Sequence, residues 1–319
     1  MDNGLILEVK NLRTYFTTEG KIKKVVDDLS FSIKKGKVMG LVGVSGTGKS
    51  VIGMSILNLI SKPGQIVGGE VLFKGKDLLK IHERDLRRIR GSDLTLVSQD
   101  PYTSMDPLYT VGNQLVEVIR AHEAVSRKEA REKAIRLLTI VGIPDPERRM
   151  LNFPHQFSGG MQQRIVIAMA IASNPSLIIM DDPTRSLDVT IQAQILSVLS
   201  QLKVRFNTTM LLISASVQVV AQFADDVMAI FRGRCMEVGP KQSVFKMPCH
   251  PYTRSLFKAV PSIEGERVNR LKGLDVLHEE NYAGSCVFYT YCNKAQKKCL
   301  EVSPDLVQVG ENHFCACHF

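Results

Sequence analysis

Apolar and polar positions fall into distinct patterns along this chain, and the patterns predict its elements in order. Ile6 to Val9 and Leu29-Ser30-Phe31-Ser32-Ile33 read as paired strands, the second with clear period-two alternation. Val38-Met39-Gly40-Leu41-Val42 is unbroken apolar sequence, as a strand buried on both faces requires. Val51 to Ile60 reads as a helix, and Gly68 to Phe73 as a strand ended by Lys74-Gly75. Residues 77–92 are basic and helical in pattern, with Arg84, Arg87, Arg88 and Arg90 on what reads as a solvated face. Leu94 to Val97 is a strand that delivers Gln99, and Gln99-Asp100-Pro101 breaks the pattern. Residues 110–174 are mostly helical. Ser126-Arg127-Lys128-Glu129 is a capping box, Ala130, Ala134, Leu137, Leu138 and Val141 form one face, and Gly142 and Pro144 stop the helix. Leu177 to Met180, Leu211 to Ile213 and Val227 to Phe231 read as further strands, the first of them buried and parallel, and Arg232-Gly233-Arg234 is a turn. From Pro240 to Phe319 long apolar runs thin out, and the segment reads as an appendage.

Candidate chemistry sits where these elements end. Gly43-Val44-Ser45-Gly46-Thr47-Gly48-Lys49-Ser50 fits the phosphate-binding pattern G-x-x-x-x-G-K-[ST], with a strand before it and a helix after it. Its glycines let the backbone turn tightly and aim N–H groups at phosphate oxygens. Lys49 can reach the β- and γ-phosphates, and Ser50 can bind Mg²⁺. Asp181-Asp182 ends a buried strand, where open α/β sheets bind ligands. Asp181 can hold Mg²⁺ and Asp182 can orient a water. Ser158-Gly159-Gly160 opens a helix, which makes either an ordinary cap or a second anion site. Tyr15 and Phe16 lie near a polar turn, as core aromatics or as a platform for a nucleobase.

Composition narrows the setting. The 319 residues are 44% hydrophobic, enough for one large domain and a smaller one. No apolar run approaches the ~20 residues that span a bilayer, and Met1-Asp2-Asn3-Gly4 is polar and acidic, so the chain reads as cytosolic. The net charge of +9 is spread along the sequence as solvated surface. Seven cysteines in a cytosolic chain argue against a disulfide framework. Five of them, Cys286, Cys292, Cys299, Cys315 and Cys317, fall in the appendage without any C-x-x-C spacing. Four thiolates there could hold zinc or an iron–sulfur cluster, or could be unligated.

Taken together and in order, these motifs resemble the ATP-binding cassette (ABC) family from about Leu5 to the C-terminus. Gly43 to Ser50 resembles the Walker A loop, continuing into Val51, and Leu177 to Asp181 resembles Walker B. Gln99 matches the Q-loop, Ser158-Gly159-Gly160-Met161-Gln162 the signature, and Ser186-Leu187-Asp188 the D-loop. Phe16 takes the position of the adenine-stacking aromatic. Gln99 to Pro107, His250-Pro251-Tyr252-Thr253-Arg254 and Ala259-Val260-Pro261 resemble the oligopeptide/dipeptide importer subfamily. The resemblance implies an α/β fold with a RecA-like sheet, an antiparallel β subdomain and a helical subdomain at about 100–160. A cassette at 1–240 is followed by a cysteine-bearing extension at 241–319. It implies ATP and Mg²⁺ as cofactors, with Ser50, Gln99 and Asp181 at the metal. It also implies Cys286, Cys292, Cys299 and Cys317 as ligands of a [4Fe–4S] cluster or zinc, with Cys315 a thiol that could substitute. The implied partners are a second cassette ATPase, two membrane permease subunits and an extracytoplasmic solute-binding protein, at the cytoplasmic face of the membrane and without nucleic acid. Peptides are the implied solute, with nickel or another metal chelate as the alternative. A nucleotide-binding regulator with little turnover is a further alternative.

Two positions depart from the family pattern. Asp182 stands where Glu is usual, one methylene shorter, and Ala215 stands at the switch histidine. A water displaced by ~1 Å can cost roughly 10²-fold in rate. Both changes predict a site that binds ATP and hydrolyses it poorly. The intact Ser158 and Gly160 would complete a partner's site, so an asymmetric heterodimer is expected. Val44 replaces a usually polar residue in the loop, a smaller change because backbone N–H groups bind there.

Overall fold

The computed structural model describes residues 4–185, 187–259 and 284–319. In chain order the elements needed are β1 (Leu5–Thr18), β2 (Lys21–Lys34), β3 (Val38–Val42), α1 (Lys49–Ile56), β4 (Gly64–Phe73), β5 (Lys76–Asp77) and α2 (Glu83–Ile89). Then come β6 (Leu94–Val97), α3 (Val111–His122), α4 (Arg127–Ile140), α5 (Pro146–Arg149), α6 (Gly159–Ala170), β7 (Leu177–Asp181), α7 (Val189–Phe206) and β8 (Thr209–Ser214). The chain continues through α8 (Val217–Phe223), β9 (Asp226–Phe231), β10 (Arg234–Pro240), α9 (Lys241–Lys246), α10 (Pro251–Lys258), α11 (Lys297–Glu301), β11 (Val307–Gly310) and β12 (His313–Cys315).

Two compact units share these elements. The first comprises Met1–Ile33, Lys37–Leu79 and Leu212–Phe319. One of its sheets runs β2-β1-β4-β5, with β4 antiparallel to both β1 and β5. In its other sheet β3 and β9 are parallel, while β10 is antiparallel to β9 and β12 to β10. All five residues of β3 are buried, as the unbroken apolar run predicts. The predicted appendage therefore adds strands to a sheet edge, with Cys315 opposite Glu237. The predicted turn at Arg232-Gly233 has positive φ at both residues (48° and 73°), the conformation a tight two-residue hairpin needs.

The second unit comprises Lys34–Gly36 and Lys80–Leu211. Here β6 and β7 are parallel. The capping box forms as read: Glu129 N–H donates to Ser126 Oγ at 3.3 Å, and Ser126 N–H to Glu129 Oε2 at 2.8 Å. Ala130, Ala134, Leu137 and Leu138 are buried along one face of α4. Strand β8 begins in this unit and ends in the first.

Three readings shift. The helix expected at Val51 to Ile60 runs from Lys49 to Ile56, because Asn58 turns left-handed (φ 51°) and closes it early. The basic stretch is helical only over Glu83–Ile89, with His82 Nδ1 accepting the Arg84 N–H as cap. Arg87 pairs with Glu83 and Arg88 with Asp85 on the solvated face expected, whereas Arg90, past the helix end, also reaches Glu83 but is only 18% exposed. Tyr15 and Phe16 lie within β1, which runs on to Thr18, so the polar turn beyond them is confined to Glu19 and Gly20.

Candidate functional site

In the first unit, the phosphate loop is built from backbone constraints. Gly46 (φ 82°) and Gly48 (φ 92°) are both left-handed. A Cβ on Gly48 would meet Val25 O at 2.4 Å, so only glycine fits there. Gly48 is the residue that caps α1, and the helix start supplies unpaired N–H groups to an anion. Lys49 is 8% exposed, and its Nζ donates to Gly43 O at 2.8 Å and Val44 O at 2.9 Å. The buried Thr47 turns its hydroxyl to Val44 O at 2.9 Å. Ser45 and Ser50 are exposed.

The loop is also braced from behind. Gly233 N–H donates to Thr47 O at 3.0 Å, and Asp27 N–H to Gly233 O at 3.1 Å. Arg234 Nη2 grips Asp27 Oδ2 at 2.7 Å, and Tyr15 Oη donates to Asp27 Oδ1 at 2.7 Å. Burial opposes the charge on Asp27, but the hydrogen bonds from Arg234 and Tyr15 outweigh it and hold the carboxyl below its ordinary range. Burial and the bond to Asp27 push Tyr15 up to about 12. Tyr15 is thus structural, which leaves Phe16, half-buried across from Gly64, as the candidate for a base. A Cβ on Gly64 would meet the Phe16 ring at 2.7 Å.

In the second unit, Asp181 closes β7 and Asp182 follows with φ 45°. The left-handed conformation is one that Asp tolerates better than most residues with a Cβ. The carbonyl of Asp182 accepts the Arg185 N–H at 3.0 Å, closing a turn. The Gln99 amide is oriented by its partners so that its oxygen accepts from Arg185 Nε at 3.0 Å and also from Nη1. Ser158 caps α6, accepting the Met161 N–H at 3.4 Å, and is exposed. Gly160 is buried where a Cβ would meet Ile191 Cγ2 at 2.5 Å, so this glycine permits close packing of α6 against α7. Gln162 is structural, donating to Pro154 O and Phe157 O. Asp188 caps α7 through Ile191 N–H at 2.9 Å, while Ser186 lies outside the described residues. In the first unit, Ala215 is exposed just past β8.

The cysteines divide. Cys286, Cys292, Cys299 and Cys317 line one small cavity in the first unit, together with His250, Phe288 and His318. Burial pushes the Cys286 and Cys292 thiols up. Cys315 stands apart, raised first by burial and then by the neighbouring Cys249 thiol. Among the described residues no set of three or more His, Cys, Asp and Glu side chains is arranged to hold a metal ion.

Comparison with known proteins decides the family. Residues 26–185 match the ABC transporter family, and residues 236–299 match the oligopeptide/dipeptide transporter C-terminal region. The oligopeptide transport ATP-binding protein AppD of Bacillus subtilis is 41% identical over 95% of this chain and 93% of its own. The chain is an ABC transporter ATPase. The dipeptide transport ATP-binding protein DppD of Escherichia coli is 39% identical over 98% of the cassette chain and 96% of its own. A dimeric ATP-binding cassette solved in a post-hydrolysis state with ADP and phosphate superimposes with a TM-score of 0.67 at 25% identity, over 74% of this chain and 98% of that one. The ABC fold expected from the motifs is therefore present, with its mixed sheet and its helices.

Sequence reading missed three contacts of the cassette: Tyr252 on Val44, Arg185 on Gln99, and the Asp27–Arg234 brace. The first joins residues 208 positions apart, and no local pattern encodes such a pairing.

Proposed function

We propose that this chain is the ATP-binding subunit of an ABC importer for peptides, working from the cytoplasmic face of the membrane with two permease subunits, a solute-binding protein and a second, different cassette. The observation that carries the reading is the oligopeptide/dipeptide C-terminal region at residues 236–299, joined to relatives named for dipeptide and oligopeptide transport that match nearly the whole chain. Among the described residues no helix is long and apolar enough to cross a membrane, which agrees with a separate permease.

In this reading the cassette is residues 1–240, with its helical subdomain at about 100–160, and the extension is 241–319. Backbone N–H groups of the Gly43 to Val51 turn, other than that of Val44, and the Lys49 ammonium take the triphosphate, with Ser45 and Thr47 in the same turn. Ser50, Asp181 and Gln99 hold Mg²⁺, and Phe16 offers its ring to adenine. Ser158 and Gly160 face the partner's γ-phosphate. Asp182 is the base for the attacking water, shortened by a methylene, and Ala215 offers no group to the γ-phosphate. The chain's own site therefore binds ATP and turns it over slowly, while its signature serves the competent site of a heterodimer.

The donor set at the cysteine cavity suits a soft, thiolate-bound group. A single zinc needs four sulfurs about 2.3 Å from one point, and no such arrangement is present among the described residues. Four thiols lining one cavity are the kind of donor set that a [4Fe–4S] cluster takes. Cys286, Cys292, Cys299 and Cys317 would hold it, and it would supply one-electron chemistry or a structural staple.

The test uses the assembled importer and its steady-state ATPase. Ser158→Arg in this chain abolishes turnover, whereas Lys49→Ala weakens nucleotide binding here about 100-fold and leaves measurable turnover at the partner's site. Loss of all chemistry with Lys49→Ala, together with full activity in Ser158→Arg, overturns the asymmetric assignment. Failure to assemble with any peptide permease overturns the peptide reading.

A further inference from the structure

Tyr252 lies in the segment that matches the oligopeptide/dipeptide C-terminal region, yet its hydroxyl ends on the phosphate loop. The side chain is fully buried. Its Oη donates to Ile230 O at 3.0 Å and accepts the Val44 N–H at 3.1 Å. A hydroxyl has one proton and two lone pairs, so both bonds form at once. The same two groups lie against the loop's first glycine. A Cβ on Gly43 would meet Ile230 O at 2.3 Å and Tyr252 Oη at 3.1 Å.

The ring cannot swing away. It packs on Phe231 at 4.9 Å and on Phe288 at 5.5 Å between centroids. The start of α10 is fixed by His250 Nδ1, which accepts the Tyr252 N–H at 3.0 Å. The buried Glu237 carboxylate then accepts the N–H groups of Cys249 at 2.8 Å and His250 at 2.9 Å, and it meets His313 Nε2 at 2.8 Å. Each of these bonds lies in the first unit.

We propose that Tyr252 is a positioning residue for the phosphate loop: it ties down the Val44 peptide so that the rest of the Gly43–Ser50 turn is held open to phosphate. The proposal rests on the nucleotide-binding reading. The extension is then a working part of the nucleotide site and not only a docking or cluster-bearing tail. Val44, where the side chain departs from the family pattern, is the residue whose backbone is held.

Tyr252→Phe keeps the ring and removes only the oxygen, leaving the part-buried Val44 N–H without its partner. In the full chain, titration calorimetry with magnesium ADP should show a Kd about fivefold to tenfold higher than wild type. In the assembled transporter with the partner's site disabled, KM for ATP of the slow turnover that remains should rise by a similar factor with kcat unchanged, as expected when only binding is lost. Tyr252→Leu should weaken binding at least as much. An unchanged Kd in Tyr252→Phe overturns the proposal, even where the melting temperature falls, because that pattern marks a purely structural residue. Weakened binding in Tyr252→Leu alone also overturns it, since ring packing and not the hydroxyl would then be responsible. If wild type itself binds no magnesium ADP, the nucleotide reading fails before any substitution is compared.

Discussion

The phosphate loop and the loop after β7 are held by different kinds of contact. At the phosphate loop the polar groups are anchored by buried backbone: Lys49 Nζ on two carbonyls, Thr47 O under Gly233, Val44 N–H on Tyr252. Apart from the Lys49 ammonium and the Tyr252 hydroxyl these contacts use backbone groups, so the Val44 side chain takes no part in them. The departures from the family pattern lie elsewhere: Asp182 on the half-buried turn after β7, and Ala215 exposed just past β8. Asp182 sits in a left-handed turn, and Arg185 takes the Gln99 amide oxygen. On the proposed reading, binding built from backbone groups survives substitution, whereas chemistry that depends on side-chain length does not.

The largest effect that could break this contrast is a repair of the chemistry. Asp182→Glu with Ala215→His restores the longer carboxylate and a γ-phosphate contact. Phosphate release at this chain's own site, measured with the partner's site disabled, should rise about 100-fold, since ~1 Å of misplacement costs roughly that much. Nucleotide Kd should stay within twofold. A rise in affinity without a rise in turnover would show that the two loops are not separable in this way.

Much of the contrast was legible in sequence. The glycine turn, the apolar runs of β3 and β7, the capping box at Ser126 and the cap at Ser158 follow from local rules, so Lys49, Ser50, Asp181 and Ser158 fall at element ends as read. The four cysteines chosen by resemblance do line one cavity, and Cys315 stands outside it. Local rules fail where a partner arrives from far along the chain. Arg234 reaches Asp27 from 207 positions away, and Tyr252 reaches Val44 from 208. The Gln99–Arg185 contact was hidden for another reason: a polar residue in a loop has many possible partners, and sequence ranks none of them.

A middle-sized effect tests the brace behind the phosphate loop. Asp27→Asn leaves Arg234 without its carboxylate and should cost about 2 kcal/mol at neutral pH, a partly buried charge losing its partner. The sign with pH follows from the lowered carboxyl pKa in the folded protein. The pair's stabilisation is fully present above the unfolded value of about 3.8 and fades as pH falls through the lower folded value. Melting temperature should therefore drop more steeply below pH 4 in wild type than in Asp27→Asn. Parallel acid limbs in the two proteins would mean that Asp27 carries no linked charge.

The smallest effect concerns Arg185. Its guanidinium is exposed, so Arg185→Ser should leave the melting temperature within about 1 °C, as surface pairs contribute little. The contact nevertheless occupies the one Gln99 atom able to face a cation, because the amide nitrogen donates and only the oxygen accepts. Releasing it should lower the Mg²⁺ concentration needed for half-maximal ATP binding by about threefold, a coupling of under 1 kcal/mol. The measurement is a Mg²⁺ titration at fixed nucleotide, with Gln99→Ala as reference. If Arg185→Ser shifts the midpoint equally in the Gln99→Ala background, the guanidinium acts on the nucleotide's charge directly and the amide is a bystander. If the shift vanishes in that background, Arg185 restrains metal binding through Gln99, and the side-chain half of the comparison has a third member beside Asp182 and Ala215.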